Sequence, residues 1–90
     1  MPREQKQNKP LFVTVRSRDG VVFEGNALSV SSFNNTGPFD VLGEHANFIT
    51  LVSKSIKIIK SEKDTQEIDL TNGVMRVYKN IIDIFLGVTK

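Results

Sequence analysis

The feature that most constrains this 90-residue chain is its punctuation: short β-branched and aromatic runs are broken by turn chemistry every 8–10 residues. Leu11-Phe12-Val13-Thr14-Val15 is such a run, and Arg18-Asp19-Gly20 closes it with a hairpin-type turn. Val21-Val22-Phe23 follows and stops at Gly25, and Leu28-Ser29-Val30-Ser31 alternates with the period of a half-buried strand. Asn34-Asn35-Thr36-Gly37-Pro38 is the densest breaker cluster, after which Phe39 and Val41-Leu42 lead to Gly43. Phe48–Val52 and Ile56–Ile58 read as the next two strands. Lys54, Lys57, Lys60 and Lys63 recur every three residues, as on a solvated helix face. Ile56, Ile58 and Ile59 oppose that reading, because branching at Cβ costs rotamer freedom in a helix, and the segment is read as strand.

Glu62-Lys63-Asp64 marks a turn, Gln66–Leu70 alternates, and Asn72-Gly73 is the strongest two-residue hairpin signal in the chain. Val74–Tyr78 and Ile81–Val88 complete the series around Lys79-Asn80. Eight to ten strands in about eighty residues, without a convincing helix, predict an all-β sandwich or flattened barrel over residues 11–90. Residues 1–10 are polar, hold two prolines and show no periodicity, so a flexible N-terminal arm is expected there.

Size and composition narrow the chemistry. At 10.1 kDa, area scaling buries about two-thirds of the chain's surface, enough for one small core and no second domain. With no cysteine, disulfide scaffolds, thiolate metal sites and thiol redox chemistry are excluded, and one histidine, His45, cannot build a His-rich metal site. No apolar run approaches a membrane span, and the basic start is not followed by the apolar stretch of a signal peptide, so an intracellular, unanchored protein is expected. The basic excess is local: residues 1–18 hold five basic groups against one acid, whereas the remainder holds seven against nine. Nucleic-acid binding through the arm and Lys54, Lys57 and Lys60 would require aromatic stacking partners that do not accompany those lysines.

Catalytic motifs fail one by one. Gly20-x4-Gly25 has phosphate-loop spacing, but Asn26-Ala27 stand where a Lys and a hydroxyl are needed. Asp69 and Asp83 read as outward acids on strands. Glu44 and His45, adjacent at a loop–strand junction, would point to opposite faces of a strand, so His45 is read as a packing or interface residue. Asn34-Asn35-Thr36 matches a glycosylation acceptor by chance in a chain without a secretory signal. No catalysis, cofactor or metal is expected, and the chain should work by presenting a surface.

Three segments in register carry a resemblance. Gly20-Val21-Val22-Phe23-Glu24-Gly25-Asn26-Ala27 followed by Leu28-Ser29-Val30 resembles the opening of the epsilon subunit of F-type ATP synthases (delta in mitochondria). The run from Gly37-Pro38-Phe39-Asp40-Val41-Leu42-Gly43-Glu44-His45-Ala46 to Leu51 is similar to that family's "G-x-F-G-V-L-P-G-H-A-P-L-L-T-x-L". Asn72-Gly73-Val74-Met75-Arg76-Val77-Tyr78-Lys79-Asn80-Ile81-Ile82-Asp83-Ile84 resembles "G-G-x-x-E-V-x-x-N-x-V-T-V". Asp40 replaces the family's Gly, Gly43-Glu44 stand in place of Pro-Gly, and Arg76 stands where the family carries Glu.

The resemblance implies a ten-stranded β-sandwich and a non-catalytic central-stalk subunit that ties gamma to the ring of c subunits in a rotary, proton-translocating ATP synthase. Carried over by position, Ser17, His45 and Thr50 would face gamma, and the loop Asn35-Thr36-Gly37-Pro38 with Glu44 would approach the c ring. It also implies no nucleic acid, no direct membrane insertion, and a place at the cytoplasmic face of the inner (plasma) membrane within a membrane-bound complex. The family's inhibitory helical hairpin would begin beyond Lys90, so coupling without self-inhibition is expected. The alternative is a stand-alone β-sandwich module with another protein partner.

Overall fold

A computed structural model describes residues 10–42 and 47–87. Seven strands run in chain order: β1 (Leu11–Ser17), β2 (Gly20–Ala27), β3 (Ser29–Asn34), β4 (Gly37–Leu42), β5 (Phe48–Ser61), β6 (Asp64–Tyr78) and β7 (Ile81–Leu86). They form one hydrogen-bonded sheet in the order β2-β1-β7-β6-β5-β3-β4. Neighbours are antiparallel except β1 and β7, which pair in parallel from Phe12↔Ile81 to Arg16↔Phe85. The all-β class is as the sequence predicts; the count is seven where the sequence suggests eight to ten.

The difference lies in β5 and β6, each of which serves both leaves of the sandwich. Phe48–Val52 and Ile56–Ile58 are two arms of β5, and Gln66–Leu70 and Val74–Tyr78 are two arms of β6. The outer arms pair as Phe48↔Val77 through Val52↔Gly73 beside β7, and the inner arms pair as Lys54↔Leu70 through Ile59↔Thr65 beside β3. Asn72-Gly73 is therefore not a hairpin turn. Between Ser53↔Asn72 and Lys54↔Leu70 the register skips Thr71, so the turn chemistry is spent on a β-bulge that bends the sheet. Lys54 takes the opposing strain, with a φ of 73° that a residue bearing Cβ rarely adopts.

The bend is stitched by specific groups. From Ser31↔Lys57 to Phe33↔Ser53, two β3 steps face four on β5, and the Ser32 hydroxyl fills the gap by donating to the Ser55 carbonyl at 2.8 Å. Gly73 lies at the crossing, where an added Cβ would stand 2.7 Å from the Phe85 carbonyl oxygen and 3.4 Å from Val52 Cγ2. The Gly87 N–H donates to the Asn72 carbonyl at 2.7 Å just beyond β7. At the open end, the Leu28 N–H donates to the Ile59 carbonyl at 2.7 Å, and Lys60 Nζ sits 5.5 Å from the centre of the Phe23 ring, joining the end of β2 to β5 across the stack.

The core between the leaves follows from strand alternation. Leu11, Val13 and Val15 of β1, Ile82 and Ile84 of β7, and Met75 and Val77 of β6 meet Val52, Ile56 and Ile58 of β5, Val30 of β3 and Val41 of β4, all buried. The segment Lys54–Lys60 is strand, with Ile56 and Ile58 inward and Lys57 outward. Residues 1–9 of the expected arm, residues 1–10, lie outside the described residues, and so does Val88.

Two variants test the bend. Gly73→Ala is expected to cost about 1–3 kcal/mol through overpacking against the Phe85 carbonyl, read as a lower midpoint in urea unfolding at unchanged slope. Ser32→Ala is expected to cost about 1–2 kcal/mol by leaving the Ser55 carbonyl unpaired, measured in the same way.

Candidate interaction surface

The register gives the two leaves opposite outer faces. On the β1–β7–β6–β5 leaf the outward side chains fall in three rows across the strands. Phe12, Ile81 and Tyr78 form the first; Thr14, Asp83, Arg76 and Ile49 form the second; Arg16, Phe85, Val74 and Leu51 form the third. Seven of these are large hydrophobic residues that stand exposed, among them Ile49 at 68%, Leu51 at 62% and Phe85 at 50%. With strands about 4.8 Å apart and about 3.3 Å per residue, the patch spans roughly 14 by 13 Å between Cα positions. Exposed apolar side chains on both sides of the polar middle row make this face the candidate contact surface.

Its polar groups are few and paired. Arg76 Nη2 donates to Asp83 Oδ2 at 3.0 Å in the middle row, and the Arg16 guanidinium lies 5.7 Å from the centre of the Phe85 ring in the third. At the first-row end an open hollow of about 570 Å³ is lined by Asn47, Phe48, Ile49, Arg76, Val77 and Tyr78. Asn47 fixes its rim: its Oδ1 accepts the Lys79 N–H at 2.7 Å, holding the tight β6–β7 turn, where Lys79 has a φ of 57°.

The other leaf presents charge. Asp40, Ser31, Lys57 and Glu67 are cross-strand neighbours over four strands, and the Ser31 hydroxyl donates to Asp40 Oδ1 at 2.6 Å. Two of the lysines that could mark a nucleic-acid site have partners: Lys54 Nζ lies 5.2 Å from the centre of the Phe33 ring, and Lys60 is 3.6 Å from Asp64; Lys57 stands cross-strand from Glu67. Asp69 and Asp83, paired with Ser55 and Arg76 respectively, sit on different leaves and are not brought together.

Of the residues expected to face gamma, Ser17 ends β1 and its Oγ accepts the Asp19 N–H at 3.2 Å in the β1–β2 turn. Thr50 lies on β5 with β7 and β6 between it and β1, so the two are about 14 Å apart at least. Thr50 is instead brought to the loop expected to face the ring. Its Oγ1 accepts a hydrogen bond from Asn34 Nδ2 at 3.3 Å, and a second hollow is lined by Asn34, Asn35, Thr36, Ile49, Thr50 and Leu51. Asn34 shapes that turn from within, because its Oδ1 accepts both the Thr36 N–H at 2.9 Å and the Thr36 hydroxyl at 2.7 Å. Gly37 follows at a φ of 121°, which favours glycine, and Pro38 is exposed on β4 opposite Phe33. Glu44 and His45 lie outside the described residues.

The motifs of the sequence do not mark the apolar face itself. Its signal was present: Val74–Tyr78 and Ile81–Phe85 carry large apolar residues at both parities of the strand, the pattern of a strand whose two faces are both meant to be covered.

Comparison with known proteins agrees with this architecture. Residues 10–87 match the family described as ATP synthase, Delta/Epsilon chain, beta-sandwich domain. An ATP synthase epsilon chain from Sulfurimonas denitrificans is 35% identical over 68 residues, covering 74% of this chain and 52% of that protein. One from Endomicrobium trichonymphae is 31% identical over 72 residues, covering 80% and 52%. The chain thus spans about half the length of the curated relatives it matches. Among solved structures, the fold is similar to a chain of the Euglena gracilis mitochondrial ATP synthase assembly of OSCP, F1 and c-ring, with a TM-score of 0.79 at 14% identity, covering 86% of this chain and 50% of that one. A chain of the Tetrahymena thermophila mitochondrial ATP synthase central stalk and c-ring gives 0.71 at 13% identity, covering 91% and 66%. With its sequence matched from residue 10 to residue 87, the chain belongs to the delta/epsilon family of ATP synthase chains through their β-sandwich domain.

Proposed function

We propose that this domain is a non-catalytic, epsilon-type part of the rotor, seated between gamma and the c ring at the cytoplasmic face of the membrane. The observation that carries the proposal is the exposed apolar face of the β1–β7–β6–β5 leaf, set against a charged face on the other leaf. Gamma would cover the apolar face, with Ser17 at one edge and Thr50 at the other. The turn Asn35–Thr36, carried by Gly37 and Pro38 and joined to Thr50 through Asn34, would reach the polar loops of the ring. His45 and Glu44 would extend those two contacts by their place in sequence between β4 and β5.

The mechanical requirement is stiffness, not chemistry. Torque passes without slip only if the body between two contacts does not shear, and close-packed interiors transmit strain instead of absorbing it. Here β5 runs unbroken from the apolar face, past Thr50, into the second leaf, so load entering at Ile49 and Leu51 is carried along one backbone. Assignment to the rotor is also in keeping with the central-stalk and c-ring assemblies in which the similar folds occur.

The domain is expected to co-purify with gamma of its own organism. Replacing Leu51 and Phe85 together by Thr keeps β propensity and touches only exposed side chains, so urea stability should change little. Loss of that apolar burial should weaken gamma binding at least tenfold, read by calorimetric titration. Retained affinity in the double variant, or no binding by the wild-type domain at micromolar concentration, would remove the basis for the assignment. Asn34→Ala, which frees the turn from Thr50, is expected to leave gamma affinity unchanged and to lower proton pumping per ATP hydrolysed in reconstituted vesicles.

A further inference from the structure

The hollow at the end of the outer arms of β5 and β6 specifies what must fill it. Its walls are Phe48, Ile49 and Tyr78, and one side carries Arg76. The Arg76 side chain is 60% exposed, while Asp83, its ion-pair partner, is only 19% exposed and lies beneath it on the neighbouring strand. A guanidinium has five N–H donors in a fixed fork, and among the described residues Asp83 is the one acceptor given to Arg76. A second cation stands close by: Lys79 Nζ lies 5.5 Å from the centre of the Tyr78 ring. The rim of an apolar hollow thus carries two cations, and among the described residues the acid paired with Arg76 is Asp83.

If this face is covered by a protein, the uncommitted donors of Arg76 leave water. Burying them without an acceptor is costly, so a surface that binds here has to bring one, and a carboxylate matches the fork best. We infer that the hollow receives an acidic–apolar segment of the partner: an apolar side chain packs against Ile49 and Tyr78 on the outer face, and a neighbouring carboxylate pairs with the outward edge of Arg76. Arg76 and Asp83 then form, with the incoming carboxylate, an acid–base–acid line along the middle row of the face. The inference rests on the reading of this face as the gamma-docking surface, and it adds the chemistry that gamma must present there.

The test uses purified gamma from the same organism. Arg76→Gln is expected to raise Kd about tenfold and Arg76→Glu further, whereas Asp83→Asn, which releases Arg76 to the partner, should bind at least as tightly as wild type. Urea unfolding of each variant separates these effects from loss of fold. In the variant Arg76→Lys with Asp83→Asn, carbodiimide should join the new amine to an Asp or Glu of gamma, located by mass spectrometry beside an apolar residue. Wild-type binding combined with Arg76 variants that stay within twofold would overturn the inference while leaving gamma docking intact. So would an Asp83→Asn variant as weak as Arg76→Gln, or cross-links confined to a second copy of this chain. A wild-type domain that is folded and does not bind gamma would overturn both readings.

Discussion

The structure depends on the crossing of β5 and β6. At Val52↔Gly73 the two longest strands pass from one leaf to the other while remaining paired, so the leaves are not two sheets pressed together but one sheet folded over. Three local facts allow that fold: an extra residue, Thr71, on β6; a left-handed Lys54 on β5; and no side chain at Gly73, where the Phe85 carbonyl comes close. The hydrophobic core then follows by alternation, because every strand on either side inherits its inward parity from this point. A change of one residue in the bulge would exchange the inner and outer sets of one leaf with respect to the other.

The same crossing fixes the contrast between the outer faces. The arms of β5 and β6 before and after the bend carry different outward residues: Ile49, Leu51, Val74 and Tyr78 on one leaf, Lys57, Glu67 and Asp69 on the other. One leaf carries Asp40, Lys57, Glu67 and Asp69 toward solvent, and the other leaves large apolar side chains exposed. That asymmetry gives the domain two unlike outer faces, one largely apolar and one charged.

Most of the strands were legible because their signals are local. β-branched runs and alternation place Leu11–Val15, Ser29–Ser31, Gln66–Leu70 and Ile81–Ile84 in strands, and Arg18-Asp19-Gly20 in a turn. Asn72-Gly73 misleads for a physical reason. The conformational freedom that suits a tight hairpin also suits a bulge, and only the long-range pairing with Val52 and Leu86 selects the second. Ser17 and the loop Asn35–Thr36 were reached by resemblance; their surroundings were not, because the Asn34–Thr50 bond joins residues 16 apart in sequence. Val74–Tyr78 and Ile81–Phe85 carry apolar residues at both parities, so local pattern alone does not say which of them stand outward.

The parallel pairing of β1 with β7 has a consequence for how the chain reaches this state. β1 and β7 lie side by side inside the sheet, with β2 on one flank and β6 on the other. Hairpins β1–β2, β3–β4 and β5–β6 can each form from neighbouring sequence, yet the central seam closes only when Ile81–Phe85 finds Phe12–Arg16 across nearly the whole chain. Such a topology carries a large loop-closure cost and folds slowly for its size. Until that seam closes, the edges of β1 and β6 and the core residues Val13, Val15, Met75 and Val77 are open together, which leaves the unfinished domain exposed to misassembly.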